Sequence, residues 1–266
     1  MPVTLQRARE LFSLVRRKTC CPGTAPAPCI PFLYPDDGCW GRAHEMCRLM
    51  IADGASPKKV WIYGSLNAPT QNHPNCAVGW AWHVAPTLAV STGSGSQDYV
   101  IDPSLCDGPV TKPQWKGKQG DSSATLVSSP ASTFYRNKSG SITQTDPTYS
   151  KTNSVLTTYR NNLKLRCASS HGPPPYLACL TKPPGVQWFG TLGPNQTKRW
   201  FTWGWPARWH VFWTVMPLTH CPGAPQLWWD VAVERANATH CTYWITVKNL
   251  TASAVRFEGR YDILSR

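Results

Sequence analysis

Residues 79–105 read GWAWHVAPTLAVSTGSGSQDYVIDPSL. Two runs rich in aromatic and β-branched residues flank STGSGSQ (residues 91–97), a Gly/Ser turn linker, so the stretch reads as a β-hairpin. His83 lies in the first strand and Asp102 in the second. Their midpoint falls between Thr92 and Gly93, inside the linker. A hairpin centred there sets His83 and Asp102 opposite or nearly so, with side chains on one face. An imidazole beside a carboxylate is a base with its orienting group: the carboxylate fixes the tautomer and stabilises the imidazolium.

Such a pair serves a nucleophile, and the chain offers one upstream. Residues 38–53 read as a helix with Cys39, Ala43, Met46, Cys47 and Met50 on one apolar face. Asp37 is its expected N-cap, and Asp53-Gly54 its stop signal. Cys39 falls in the first turn, where unpaired N–H groups and the helix dipole favour a thiolate. The bland alternative is a buried or disulfide-bonded cysteine. His44 lies five residues further, about 140° round the helix, and reads as a structural or surface histidine. His73 sits in a Pro/Asn loop, and His210 and His220 in a Trp-rich region, with no partner visible in the sequence. There is no CxxC pair and no zinc-ligand spacing, so neither metal nor other cofactor is expected. KVWIYGSL (residues 59–66) supplies a further strand, and residues 3–18 an amphipathic helix. That helix is read as packing on its domain, against the alternative of a membrane-surface helix.

Composition bounds the rest. The 266 residues include 11 Cys and 14 Trp, and 27 Lys+Arg against 14 Asp+Glu give a net charge of +13. The length allows one large or two modest domains. No apolar run approaches the ~18 residues of a membrane helix. The basic residues are scattered rather than interleaved with aromatics in a tract, which argues against a nucleic-acid partner. The cysteine content points to an oxidising destination with several disulfides, and an odd count leaves at least one thiol unpaired. The protein is therefore expected to be secreted or exported, although residues 1–18 show no signal-peptide core.

Residues 110–166, rich in Ser, Thr and Asn, read as short strands and loops. A composition shift over Ser169–Gly185 divides the chain into residues 1–180 and 181–266. Nine of the Trp residues lie in the second part. There VQWFGTL, TKRWFTWGW, WHVFWTVMP, PQLWWDVAVERA, TYWITVKNLT and VRFEGRYDIL form short segments with turns between them, the pattern of an all-β sandwich or small barrel. Its tryptophans either fill the core or present a platform for a carbohydrate or protein ligand. Adjacent Trp228 and Trp229 would face opposite sides of a strand. Cys221 and Cys241, alone in this part, are expected to pair, closing a loop of about 20 residues.

Four stretches resemble one family in order: CIPFLYPDDGCWGRAHEMCRLM (29–50), VWIYGSLNA (60–68), AVGWAWHVA (77–85) and YVIDPSLCDGPVTKPQW (99–115). They look like bacterial protein-glutaminase, over residues ~5–180. The resemblance implies an α+β fold whose core is papain/transglutaminase-like, with an antiparallel sheet, followed by the sandwich-like tail. It implies a Cys39–His83–Asp102 triad that hydrolyses protein-bound glutamine to glutamate and ammonia through a Cys thioester, acting on proteins with accessible glutamine. The same triad would also serve a transglutaminase or a cysteine protease. The alternative from another class is a non-catalytic, disulfide-rich binding protein. Trp40, Gly41 and Cys47 depart from the commoner family residues. Trp40 would reshape the pocket, and Trp40 and Trp82 are the expected substrate-binding residues. The family's N-terminal pro-segment is not expected in a chain with 38 residues before Cys39. The target is either protein in general or one glutamine hit by an effector.

Overall fold

The computed structural model describes residues 2–181 and 183–265. It divides into two compact units: Met1–Cys20 with Ala25–Leu165, and Cys21–Thr24 with Arg166–Arg266.

The first unit is built on a five-stranded sheet of β1 (Lys58–Pro69), β2 (Ala77–Thr92), β3 (Gly95–Val100), β4 (Val110–Thr111) and β5 (Thr125–Pro130). The strand order is β4-β3-β2-β1-β5, and every pairing is antiparallel. A separate two-stranded ribbon joins β6 (Thr133–Arg136) and β7 (Thr143–Thr145). Helix α1 (Leu5–Arg16) starts at Thr4, whose hydroxyl accepts from the Arg7 amide, and buries Ala8, Leu11, Phe12 and Val15. This apolar stripe joins the unit's core with Met46 and Met50 of helix α2 (Cys39–Ala52) and with Ile62 and Val84 of the sheet. The membrane-surface alternative for α1 is thereby set aside, because its apolar face is already covered.

Two helices lie where the sequence reads as strands and loops. Helix α3 (Lys112–Gly117) opens with a capping box between Thr111 and Gln114 and buries Trp115. Helix α4 (Ser150–Ala168) is long yet poor in strong helix formers. Its buried positions are Thr152, Leu156, Arg160 and Leu163, so the stripe has helical spacing but half of it is polar. Asp146 anchors its start by accepting from the Thr152 amide and hydroxyl, both at 2.7 Å.

The second unit holds two three-stranded antiparallel sheets. One has the order β10-β13-β8, from β8 (Val186–Leu192), β10 (His210–Pro217) and β13 (Val255–Ser265). The other has the order β11-β12-β9, from β9 (Thr197–Pro206), β11 (Leu227–Glu234) and β12 (His240–Asn249). All six strands fall on the six aromatic segments. Trp205, Trp213, Ile245, Val247 and Phe257 form its apolar cluster.

The expected Cys221–Cys241 bridge is not made. Cys221 pairs with Cys21, 200 residues away in sequence, and Cys241 is a buried free thiol. Composition hid this pairing because Cys21 belongs to a four-residue segment of the second unit that precedes the nucleophile in sequence. There Gly23 lies so close to Ser253 that a Cβ would stand 2.1 Å from its Oγ. Cys20–Cys29 closes a second, local bridge. Among the described residues Cys39, Cys47, Cys106, Cys167 and Cys241 are free. No helix among the described residues is long and apolar enough to cross a membrane.

Candidate active site

Cys39 is the first residue of α2 and is buried. The cap is Gly38, not Asp37. Gly38 has a left-handed backbone with φ of 78°, and a Cβ there would stand 2.2 Å from the Tyr159 ring. Only glycine meets both conditions. Asp37 instead braces the turn: Oδ1 accepts from the Gly38 amide at 2.8 Å and Oδ2 from the Tyr159 hydroxyl at 2.7 Å. Arg42, one turn into the helix and buried, donates to the carbonyls of Tyr34 (3.0 Å) and Asp37 (2.5 Å). Trp80 Nε1 donates to the Asp36 carbonyl at 2.7 Å. The loop before the thiol is thus pinned from a helix, a strand and α4. No side chain caps the helix start, so its first amides are not taken up by a cap.

His83 stands in β2 with Nε2 2.9 Å from Asp102 Oδ2, and both residues are about 1% exposed. The hairpin differs in register from the expectation. Thr92 pairs with Gly95 and Thr87 with Val100, so the turn is Gly93-Ser94 and the sheet pairing ends before Asp102. Asp102 projects from the loop after β3. Its backbone carbonyl accepts from the Leu105 and Cys106 amides, and its Oδ1 from the Ser104 amide at 3.1 Å. Pro103 follows it, and the residue before a proline is kept out of the helical region, so Asp102 fits this turn. The carboxylate therefore meets the imidazole from the end of the strand rather than across the ladder.

Two tryptophans complete the pair. Trp115, fully buried in α3, donates from Nε1 to Asp102 Oδ2 at 2.9 Å. Trp80 stacks on the His83 ring at 4.7 Å with planes 8° apart. Burial pulls the imidazole toward its neutral form, but the charge and hydrogen bond of Asp102, with a smaller contribution from Cys39, outweigh it and raise its pKa to about 9. Burial likewise opposes ionisation of Asp102, yet His83, the Trp115 indole and Arg42 hold its carboxyl below the ordinary range. The remaining ring nitrogen, Nδ1, is buried and makes no hydrogen bond of ordinary geometry. Cys39 acts on the imidazole as a looser hydrogen-bond partner and as a charge.

Trp40 and Trp82 lie together, ring centroids 5.8 Å apart, and both are half-buried. Tyr159 meets the edge of Trp40 at 6.2 Å, and Tyr135 meets Trp82 at 5.7 Å. On α2 itself His44 is buried, with Nδ1 2.9 Å from Lys59 Nζ. Lys59, fully buried, also donates to the Thr133 carbonyl at 2.5 Å. His73, partnerless in the sequence reading, stands 3.2 Å from Asp36. Sequence reasoning missed Trp115, Trp80, Arg42 and Tyr159. Trp115 and Trp80 had one available signal: they stand at the end of one quoted stretch and inside another.

A family model described as glutaminase matches residues 8–119. Among solved structures, a crystal structure of protein-glutaminase is 33% identical with a TM-score of 0.53, over 60% of this chain and 90% of that one. The NMR structure of protein-glutaminase from Chryseobacterium proteolyticum is 32% identical with a TM-score of 0.55, over 68% of this chain and 98% of that one. A pro-protein-glutaminase crystal structure is 31% identical over 68% of this chain and 65% of its own, with a TM-score of 0.55. Nothing among curated proteins matches. A mixed α/β unit that sets a helix-start cysteine beside a buried His–Asp pair is the class defined here. The chain belongs to the protein-glutaminase family, and it is an enzyme of the glutaminase class.

Proposed function

We propose that the protein hydrolyses the side-chain amide of protein-bound glutamine, with Cys39 as nucleophile, His83 as acid and base, and Asp102 as the group that orients His83. One observation carries this reading: the imidazole is held by Asp102 at Nε2 and is also acted on by Cys39, the first residue of α2. The Cys39 thiolate attacks the glutamine Cδ, and the resulting oxyanion is met by amides of the uncapped helix start. The His83 imidazolium gives its proton to the departing nitrogen, releasing ammonia and leaving a γ-glutamyl thioester. Water then loses a proton to neutral His83, attacks the thioester carbon and expels the thiolate. The product is a glutamate side chain.

The half-buried Trp40 and Trp82, with Tyr135 and Tyr159 against them, supply apolar walls for the aliphatic part of a glutamine side chain. The core is of the papain/transglutaminase kind in this reading. The disulfides fit a secreted protein, and the all-β part after residue 180 would bring the catalytic part to its target through a ligand of its own. Cys39→Ala tests the central claim. Ammonia release from casein should vanish while the circular dichroism spectrum and Tm stay those of the wild type; a variant that keeps its activity would refute it. Efficient incorporation of a labelled primary amine into casein would move the assignment to transglutaminase, and fragmentation of casein to protease.

A further inference from the structure

The sheet of β9, β11 and β12 carries large rings that its own unit does not cover. Phe201 is 56% and Trp203 72% exposed, on alternate residues of β9 and so on one face. Trp244 of β12 pairs directly with Phe201, their centroids 5.2 Å apart, and Phe201 stands 5.7 Å from Trp203. The three rings form one contiguous cluster, with Phe201 tilted by 35° to Trp203 and by 34° to Trp244. Ala232, the partner of Trp244 on the other side, is small and leaves that flank open. The ring of Trp244 is fixed in place, because its Nε1 donates to Glu234 at 2.9 Å and the Arg199 guanidinium lies 6.0 Å from its centre.

The charges around the rings choose the occupant. Asp230, Thr246 and Arg199 form one row across the face, and Lys248 stands two residues beyond Thr246. With Glu234, this face carries two acidic and two basic side chains, in a chain whose net charge is +13. A surface for anionic lipid or nucleic acid would concentrate the basic excess; this one balances it. The core of a protein interface is depleted of charge, whereas here ionic groups stand in the rows beside the rings. Flat aromatic rings with interspersed hydrogen-bonding groups suit a ligand with an apolar C–H face and a rim of hydroxyls.

We infer that Phe201, Trp203 and Trp244 form a binding platform for a neutral, pyranose-based polysaccharide. The inference deepens the delivery role proposed for the second unit and does not depend on the catalytic reading. The test uses the full chain, sedimented at high salt with microcrystalline cellulose, insoluble chitin and β-1,3-glucan particles, where screening removes adsorption by charge alone. Retention on at least one of them is expected. Trp203→Ala and, separately, Phe201→Ser should weaken it about tenfold or more. Both side chains are exposed, so Tm and ammonia release from a small glutamine peptide should stay at wild-type values. Failure to bind any of the three polymers would overturn the proposal. So would binding that neither variant weakens, or salt-sensitive binding to phosphatidylserine vesicles that Trp203→Ala abolishes. An inactive chain that still binds polymer would break the deamidation reading and leave this one standing.

Discussion

Helix α2 has a buried histidine at each of two faces, and the two are driven in opposite directions. His83 meets the helix start and carries a pKa raised to about 9, because the attraction of Asp102 outweighs burial. His44, on the helix itself, is lowered to about 4 by burial and by the neighbouring Lys59 cation. Burial acts the same way on both rings. The sign of the partner's charge decides which ring holds a proton at neutral pH. In the proposed reaction the first region moves protons; the second ties the helix to β1 and β6 through Lys59.

The strongest way to break this comparison is to exchange what each histidine is asked to do. His83→Ala should lose nearly all ammonia release with the fold intact. His44→Ala should leave kcat within a few-fold. It should lower stability instead, by about 1–3 kcal/mol, because Lys59 Nζ loses a buried hydrogen-bond partner. Urea melts beside initial rates distinguish the two outcomes. Equal loss of activity in both variants would show that the regions are not separate.

Next in size is Asp102→Asn. Loss of the orienting carboxylate should reduce kcat by ~10²–10⁴-fold. It should also move the alkaline limb of the rate profile to lower pH, since the Asp102 charge no longer offsets burial, which lowers the His83 pKa. Under the proposed mechanism that limb should fall in the wild type as pH rises through about 9, where His83 loses its proton. A wild-type limb near the free-histidine range would contradict the assignment of His83.

Linkage gives a smaller effect with opposite signs. His83 binds its proton more tightly folded than unfolded, so its contribution to stability is full below about 6.5 and is lost as pH rises through about 9. His44 binds its proton less tightly when folded. Its contribution is therefore full above about 6.5 and falls away as pH drops toward about 4. Chemical denaturation across this range should show a dome, and His44→Phe should flatten its acid side only.

The smallest effect is kinetic labelling. Burial raises Cys47 to about 11 and Cys106 and Cys167 to about 12, so these thiols stay protonated at neutral pH. Cys39, beside the His83 imidazolium, should take iodoacetamide first. Peptide mapping that finds several thiols alkylated at one rate would remove this distinction.

The candidate site is partly legible in the sequence. The turn linker marks a hairpin, and the distances of His83 and Asp102 from its centre point to their pairing. The Gly93-Ser94 turn centres the hairpin one residue further on, which shifts the ladder register by two, and Asp102 leaves the ladder to make its own turn. The sequence favours Asp37 over Gly38, since an aspartate before a helix is the commoner cap. The left-handed backbone of Gly38 and the Tyr159 ring against it show why the cap must lack a side chain. Helix α4 was missed because two of its four buried positions are Thr152 and Arg160, which blur the apolar period.

By itself the sequence determined what is local: the runs that become β1, β2 and the six strands of the second unit, the helix carrying Cys39, and the family that its four stretches resemble. Tertiary structure decided whatever depends on distant partners. It closed Cys21 on Cys221 across 200 residues, gave Trp115 to Asp102, and set Lys59 beside His44. Local pattern is written in short-range periodicity, which survives in a linear string. The charge on a buried ring depends on what the fold brings within a few ångströms of it, and no spacing along the chain records that.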